Sequence, residues 1–258
     1  MLRRINLIGI LSLVFFTGCN QASLMEKIAP QEESRAKSYI DQLRQNKFDQ
    51  IEKDMDPSVE DADLHNTLVE IAAFFPHRDP VSVKVVGANI FNRGDTSTAG
   101  ITLEYEFPGK WLLANVSTQT RDGVTTITGI SVTPLQDSLE NLNRFTFAGK
   151  GDVQYITLLL ALLGLLVSVY AFILCLRTKI EKKKWLWALL TLCGLCRLSV
   201  DWTTGKPFFT VLAFQLPVAT AGAVPYGSWV IHVSLPLGAI AFLILRRKIE
   251  ADRLNNPA

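Results

Sequence analysis

The sequence predicts an α+β fold: N-terminal helices packed on a curved four-stranded antiparallel sheet, followed by an all-α membrane region of three transmembrane helices. Three observations lead there. Helical apolar spacing over residues 31–75 gives way to period-two alternation over 81–133. Charge divides by position: residues 20–150 carry 13 Lys/Arg and 19 Asp/Glu, whereas residues 151–258 carry 11 and 5. Three apolar stretches in the second half are each bordered by Lys or Arg. Charged residues are only 19% of the chain, against roughly 25% in average soluble proteins. The near-neutral total of +2 therefore hides an acidic half and a basic, apolar half. The acidic half would repel phosphates, which argues against nucleic acid as a partner.

Residues 1–18 have the layout of a signal peptide, with Arg3 and Arg4 before an apolar run at 5–16 that is too short to span a bilayer. Phe16-Thr17-Gly18-Cys19 resembles a bacterial lipobox. That resemblance implies a lipoprotein-type signal in which Cys19 is lipidated and becomes the first mature residue; Phe16 departs from the usual Leu. Residues 19–30 read as a polar tether. The other cysteines are Cys175, Cys193 and Cys196, so a disulfide framework is excluded from residues 20–150.

The exported domain is expected over 31–140. Ala36, Tyr39, Ile40 and Leu43 form one helical stripe, and Phe48, Ile51 and Met55 continue it past a break near Asn46. Asp56-Pro57 reads as a cap and first turn of the next helix, which carries Leu64, Leu68, Ile71, Ala72 and Phe75 and ends at Pro76. Val81, Val83 and Val85 then alternate, as do Ile101, Leu103, Tyr105 and Phe107. Third and fourth runs follow at 111–118 and 124–132. Arg93-Gly94-Asp95, Pro108-Gly109 and Asp122-Gly123 are hairpin separators. Ile127 has the opposite parity to Ile130 and Val132, which predicts a β-bulge beside Gly129.

Two stretches, Ser38-Tyr39-Ile40-Asp41 through Lys47-Phe48-Asp49 and Lys110-Trp111-Leu112-Leu113 through Gly123 to Pro134, resemble the NTF2-like (cystatin-like) α+β cone. The resemblance covers about residues 31–135 and implies fold more than activity. Enzymes on that fold place an acidic residue or a His–Asp pair inside the cone. The residues of that type here are His65, His77, Asp79, Glu104 and Glu106. Glu104 and Glu106 fall on the polar side of an alternating strand and read as a solvated face. Neither His65 nor His77 has a partner at ligand spacing, so no metal is expected.

Residues 153–176 are expected to be the first transmembrane helix and 177–184 a basic cytoplasmic loop, after a linker at 141–152. A second helix is expected at 185–202, an outer loop with an interfacial apolar segment at 203–228, a third helix at 229–245 and a cytoplasmic tail at 246–258. The basic clusters set this orientation, with residues 20–152 on the periplasmic side of a bacterial inner membrane. Arg197 and Asp201, four apart on the expected helix, can share one face, with His232 near the same outer end. This candidate outer-leaflet polar cluster reads either as an interfacial ion pair with Arg197 snorkelling or as a proton- or anion-responsive site. Cys193-Gly-Leu-Cys196 lies in an apolar stretch and reads as small residues that let helices approach.

There is no phosphate-binding glycine loop, nucleophile elbow or zinc signature. The expectation is a non-catalytic membrane-anchored envelope protein, with no cofactor, whose exported domain is a binding or interaction module. Its partners would be the lipid bilayer and an envelope protein or a second copy. The alternatives are an enzyme using the cone as a pocket, or an accessory subunit of a membrane transporter.

Overall fold

The computed structural model describes residues 30–59, 63–180 and 183–255. The expected signal peptide, Cys19 and nearly all of the tether lie outside the described residues. The chain divides into two compact units, Met1–Leu139 and Glu140–Ala258.

In the first unit, α1 (Pro30–Arg44) buries Ala36, Tyr39, Ile40 and Leu43 at helical spacing. It carries Glu32 and Glu33 in its first turn and Arg44 in its last, which complements the helix dipole. Asn46 at positive φ ends it. Short helices α2 (Phe48–Lys53) and α3 (Leu64–Ala72) add Ile51 and Leu68 to the core. Four strands of 12 residues follow: β1 (Ser82–Arg93), β2 (Thr96–Phe107), β3 (Lys110–Arg121) and β4 (Val124–Leu135). They form an antiparallel sheet in chain order. The β3–β4 turn has positive φ at both Asp122 and Gly123, the requirement of a two-residue turn that matches strand twist.

Ile101, Leu103, Tyr105 and Phe107 point to one side of β2 and meet Leu112, Ala114 and Val116 of β3 and the buried stripe of α1. Phe75 sets its ring edge against Tyr105 and Phe107, at 5.8 and 6.3 Å. Each such side chain contributes about 1.5–3 kcal/mol on full burial. In β4 the register shifts so that Thr128 is the extra residue between Ile127 and Gly129. This bulge returns Ile127 to the core side. It also frees Ile127 to pair outside the sheet: its N–H donates to Asp54 O at 2.7 Å and its carbonyl accepts from Asp56 N at 2.8 Å. Asp56-Pro57 is therefore no helix cap. Met55, between the Asp54 carbonyl and the Asp56 amide, docks the chain onto β4 as a one-residue parallel bridge to Ile127, and α3 begins only at Leu64.

The second unit differs from expectation. After α4 (Leu139–Leu142), the helix α5 (Asp152–Arg177) runs 26 residues, about 39 Å at the usual rise. Among the described residues it is the one helix long and apolar enough to cross a membrane. Then come α6 (Lys184–Leu192), β5 (Gly194–Asp201), β6 (Pro207–Gln215), β7 (Ala219–Gly222), β8 (Val230–Leu235) and α7 (Leu237–Asn255). The four strands form a second antiparallel sheet in the order β6-β5-β8-β7.

The expected fold, N-terminal helices on one sheet followed by three transmembrane helices, is thus overturned. The protein is α+β with two antiparallel sheets, and helices precede, join and follow them. The stretch 185–202 is half helix and half strand, because β5 is paired on both edges and sheet pairing overrides a weak helix preference. The stretch 229–245 is split at Pro236, which cannot sit inside a helix and holds Leu235 extended. The stretch 203–228, expected as a loop, supplies β6 and β7.

Helix α5 organises this unit. Its buried residues are Gln154, Thr157, Ala161, Gly164, Ser168, Ala171 and Cys175, spaced alternately by three and four. All are small or polar, while Leu159, Leu160, Leu162, Leu163 and Leu166 are exposed. Ala161 packs with Trp202, Ala219, Ile231 and Val233 of the sheet end. Ala171 and Cys175 pack with Ala239 and Phe242 of α7, beside Trp187 of α6. So α6 with β5 retraces α5, and β8 with α7 returns along it.

Candidate functional site

The second sheet has two unlike faces. Leu198, Ile231, Val233 and Ala219 turn toward α5. The other face carries hydrogen-bonding side chains in two rows. Thr210, Arg197 and Ser234 stand in register across β6, β5 and β8. Ser199, His232 and Thr220 stand in register across β5, β8 and β7. Directly opposed residues project to the same side of a sheet.

Local geometry sets which residues reach this face. Cys196 has positive φ, and the register shifts between Leu195 and Arg197. The extra residue re-phases β5, so that Arg197 and Ser199 turn away from α5. His232 Nδ1 lies 2.7 Å from the Ser199 hydroxyl. Ser234 Oγ donates to Val218 O at 2.8 Å. Burial, and to a lesser degree the Arg197 cation, disfavours protonation of His232. In the neutral ring that accepts from Ser199 at Nδ1, Nε2 carries the proton.

Arg197 and His232 are therefore brought onto one face, but Asp201 is not joined to them. Its Oδ1 accepts the N–H groups of Thr203 and Thr204, at 2.9 and 2.8 Å. Its Oδ2 accepts the Ser228 hydroxyl at 2.5 Å. The carboxylate thus closes the turn after β5, and no described ion pair joins it to Arg197. The helix that would have placed these residues one turn apart is a strand there. The Arg197 Nε is buried and has no hydrogen-bond partner among the described residues.

The acid–base candidates of the first unit are spread apart. Glu104 is 2% exposed, not on a solvated face. The chain after β4 returns over this side of the sheet, and Leu139 N donates to Glu104 Oε2 at 2.6 Å. Glu106 accepts from the Ser82 hydroxyl at 2.7 Å across the strands. His65 Nδ1 sits 2.7 Å from Glu52 Oε1, and its ring meets Phe48 edge-on, so it ties α3 to α2. His77 is exposed. Asp79 is exposed and reached by Arg44 at 3.5 Å. An open hollow of about 560 Å³ along α3, lined by Asp63, Asn66, Thr67, Val69 and Glu70, contains none of them. Among the described residues no three His, Cys, Asp or Glu side chains cluster as metal ligands. The described cysteines are free, with Cys175 and Cys193 buried.

Ser199, Ser234, Thr210 and Thr220 were not foreseen. A signal existed: Arg197-Leu198-Ser199-Val200-Asp201 and Ile231-His232-Val233-Ser234 both alternate polar with apolar. Their high apolar content masked that period. The chain was compared with protein-family models, curated proteins and solved structures, and none matches.

Proposed function

We propose that this chain is a membrane-anchored envelope protein whose N-terminal α+β unit, built in the manner of an NTF2-like domain, serves as a non-catalytic binding or interaction module. The observation that carries the anchoring is the inside-out pattern of α5. A helix in the core of a water-soluble protein buries its leucines. This one turns leucines outward and buries Ala161, Gly164, Ser168 and Ala171, as membrane helices do when small residues let them pack. The orientation by basic clusters places residues before α5 on the periplasmic side and 177–184 in the cytoplasm.

The module reading is supported by how the first unit uses its polar groups. Glu104, His65 and Asp79 each hold a backbone or a neighbouring element, and the space between helices and sheet is filled by Phe75, Tyr105 and Phe107. Burial pushes the Tyr105 hydroxyl well above its ordinary value, so it stays a neutral core group. Phe91 (70% exposed) and Val124 (65%) stand at the same end of the sheet, by the β1–β2 and β3–β4 turns. They lie on the two edge strands, so a protein partner seated across that end of the sheet would touch both.

Photo-crosslinking residues at Phe91 and Val124 of the full chain, in intact cells, test this. One discrete adduct from both positions, absent when the crosslinker replaces Lys53, is the expected result. Adducts from neither would end the module reading.

A further inference from the structure

We propose that the polar face of the second sheet is a binding site for a phosphate group, with Arg197 and His232 as its main donors. Arg197 is the starting point. Its Nε is buried without a partner, and no described carboxylate forms an ion pair with it. The nearest acid in the chain, Asp201, has both oxygens engaged by Thr203, Thr204 and Ser228. A buried N–H of the guanidinium without an acceptor is costly, and an oxygen of an incoming anion would supply one.

The surroundings suit a tetrahedral oxyanion. The Ser199 contact engages His232 at Nδ1; in the tautomer whose Nδ1 accepts from Ser199, and in the protonated ring, Nε2 carries a hydrogen and can donate. Thr210 lies beside Arg197 and Thr220 beside His232, on the two flanking strands. Arg197 and His232 lie on the two central strands of this face, with the Thr210 hydroxyl next to Arg197 on β6. That arrangement matches several oxygens in a tetrahedron better than one planar carboxylate, and the guanidinium fork can take two of them. The sheet carries this patch on the face turned away from α5. A phospholipid headgroup and free phosphate both offer the required chemistry. The headgroup source rests on the membrane reading of α5; the phosphate site itself does not.

The test uses the full chain in neutral maltoside micelles and follows thermal unfolding. Three additions are compared: diacylglycerol, which lacks phosphate; phosphatidylglycerol; and inorganic phosphate. At about a hundredfold excess over the dissociation constant, the midpoint should rise by roughly 5 °C with a phosphate-bearing compound. A rise with phosphatidylglycerol alone assigns the site to a headgroup. An equal rise with inorganic phosphate assigns it to the free ion and leaves the site standing even if α5 does not span a bilayer. Arg197→Gln should remove the rise and Arg197→Lys should keep part of it, because charge remains while the fork is lost. Lys206→Gln, outside the patch, should leave it intact. The midpoint of each variant in diacylglycerol micelles reports whether it is folded. No rise with either phosphate compound, or the same rise in wild type, Arg197→Gln and His232→Gln, overturns the proposal.

Discussion

Two carboxylates of the first unit have opposite surroundings and different consequences. Asp56 accepts from both the N–H and the hydroxyl of Ser58 and from Thr126 of β4, at 2.9, 2.6 and 2.9 Å. These bonds hold its carboxyl below the ordinary value. A folded-state pKa below the unfolded one gives stability that is complete above the unfolded value, about 3.8. That stability is lost as pH falls through the folded value. Hydrogen exchange at the Ile127 amide, which bonds to Asp54 O, should therefore be faster in Asp56→Asn than in wild type at neutral pH. The two rates should converge as pH falls through the folded-state value of Asp56, where the native carboxylate is also protonated. Glu104 is the contrasting case. It is buried, and its partner is the Leu139 N–H. Glu104→Ala leaves that donor without its acceptor and should destabilise the first unit by about 1–3 kcal/mol. Glu104→Gln keeps an acceptor oxygen and should cost less. Denaturant dependence of exchange at the β2 amides of Leu103 and Tyr105 would measure both. An equal loss for the two variants would mean that the charge, not the acceptor, matters.

At the scale of elements, two glycines set how closely the parts of the second unit approach. A Cβ at Gly194 would overlap the side chain of Ser234 on the neighbouring strand β8. A Cβ at Gly238 would overlap the Leu190 carbonyl of α6. Gly194→Ala should cost about 1–3 kcal/mol as an overpacked contact. Adding Ser234→Gly should recover most of that, because the obstacle is a side chain. Gly238→Ala should not be rescued by Leu190→Ala, because its obstacle is backbone. Thermal unfolding of the two single and two double variants separates the cases. The same elements explain what could be read in advance. Ile101, Leu103, Tyr105 and Phe107 alternate against Thr102, Glu104 and Glu106, and that period maps directly onto β2. The parity slip at Ile127 marked the Thr128 bulge, because a one-residue shift must show in the pattern. Residues 185–202 misled because strand and helix both accept an apolar run of that length. What decides between them is pairing with β6 and β8, which lies 6 to 41 residues further along the chain and leaves no local mark. Glu104 misled for a related reason. Alternation tells which face of a strand a residue occupies, but not that the chain after β4 comes back to cover it. The Arg197 face combined both failures: its residues alternate visibly, but their meeting depends on a strand order the sequence does not display.

At the scale of the whole molecule, the decisive property is that α5 carries the unit's most apolar surface on its outside. Leu166 is 66% exposed, yet Ala171 on the buried stripe is completely covered. In water this would expose a leucine-rich surface along about 39 Å of helix, far beyond the patches soluble monomers tolerate. In a bilayer the same surface is satisfied by acyl chains, and 26 residues exceed the roughly 20 needed to cross the hydrocarbon. The charges at its ends agree. Asp152 begins the helix, Arg177 ends it, and Lys179, Lys183 and Lys184 follow, an asymmetry that supports the proposed orientation with the second end in the cytoplasm. Single cysteines at Asp122, in the turn between β3 and β4, and at Lys179, just past α5, report the two ends. With wild type as the background for its own thiols, Asp122→Cys should react with a membrane-impermeant maleimide in spheroplasts, and Lys179→Cys only after permeabilisation. Mutating Arg177, Lys182, Lys183 and Lys184 together to Gln should weaken this difference, because the proposed orientation rests on that cluster. Equal labelling of both cysteines without permeabilisation would mean that α5 does not cross the membrane, and its exposed leucines would then require a protein surface to cover them.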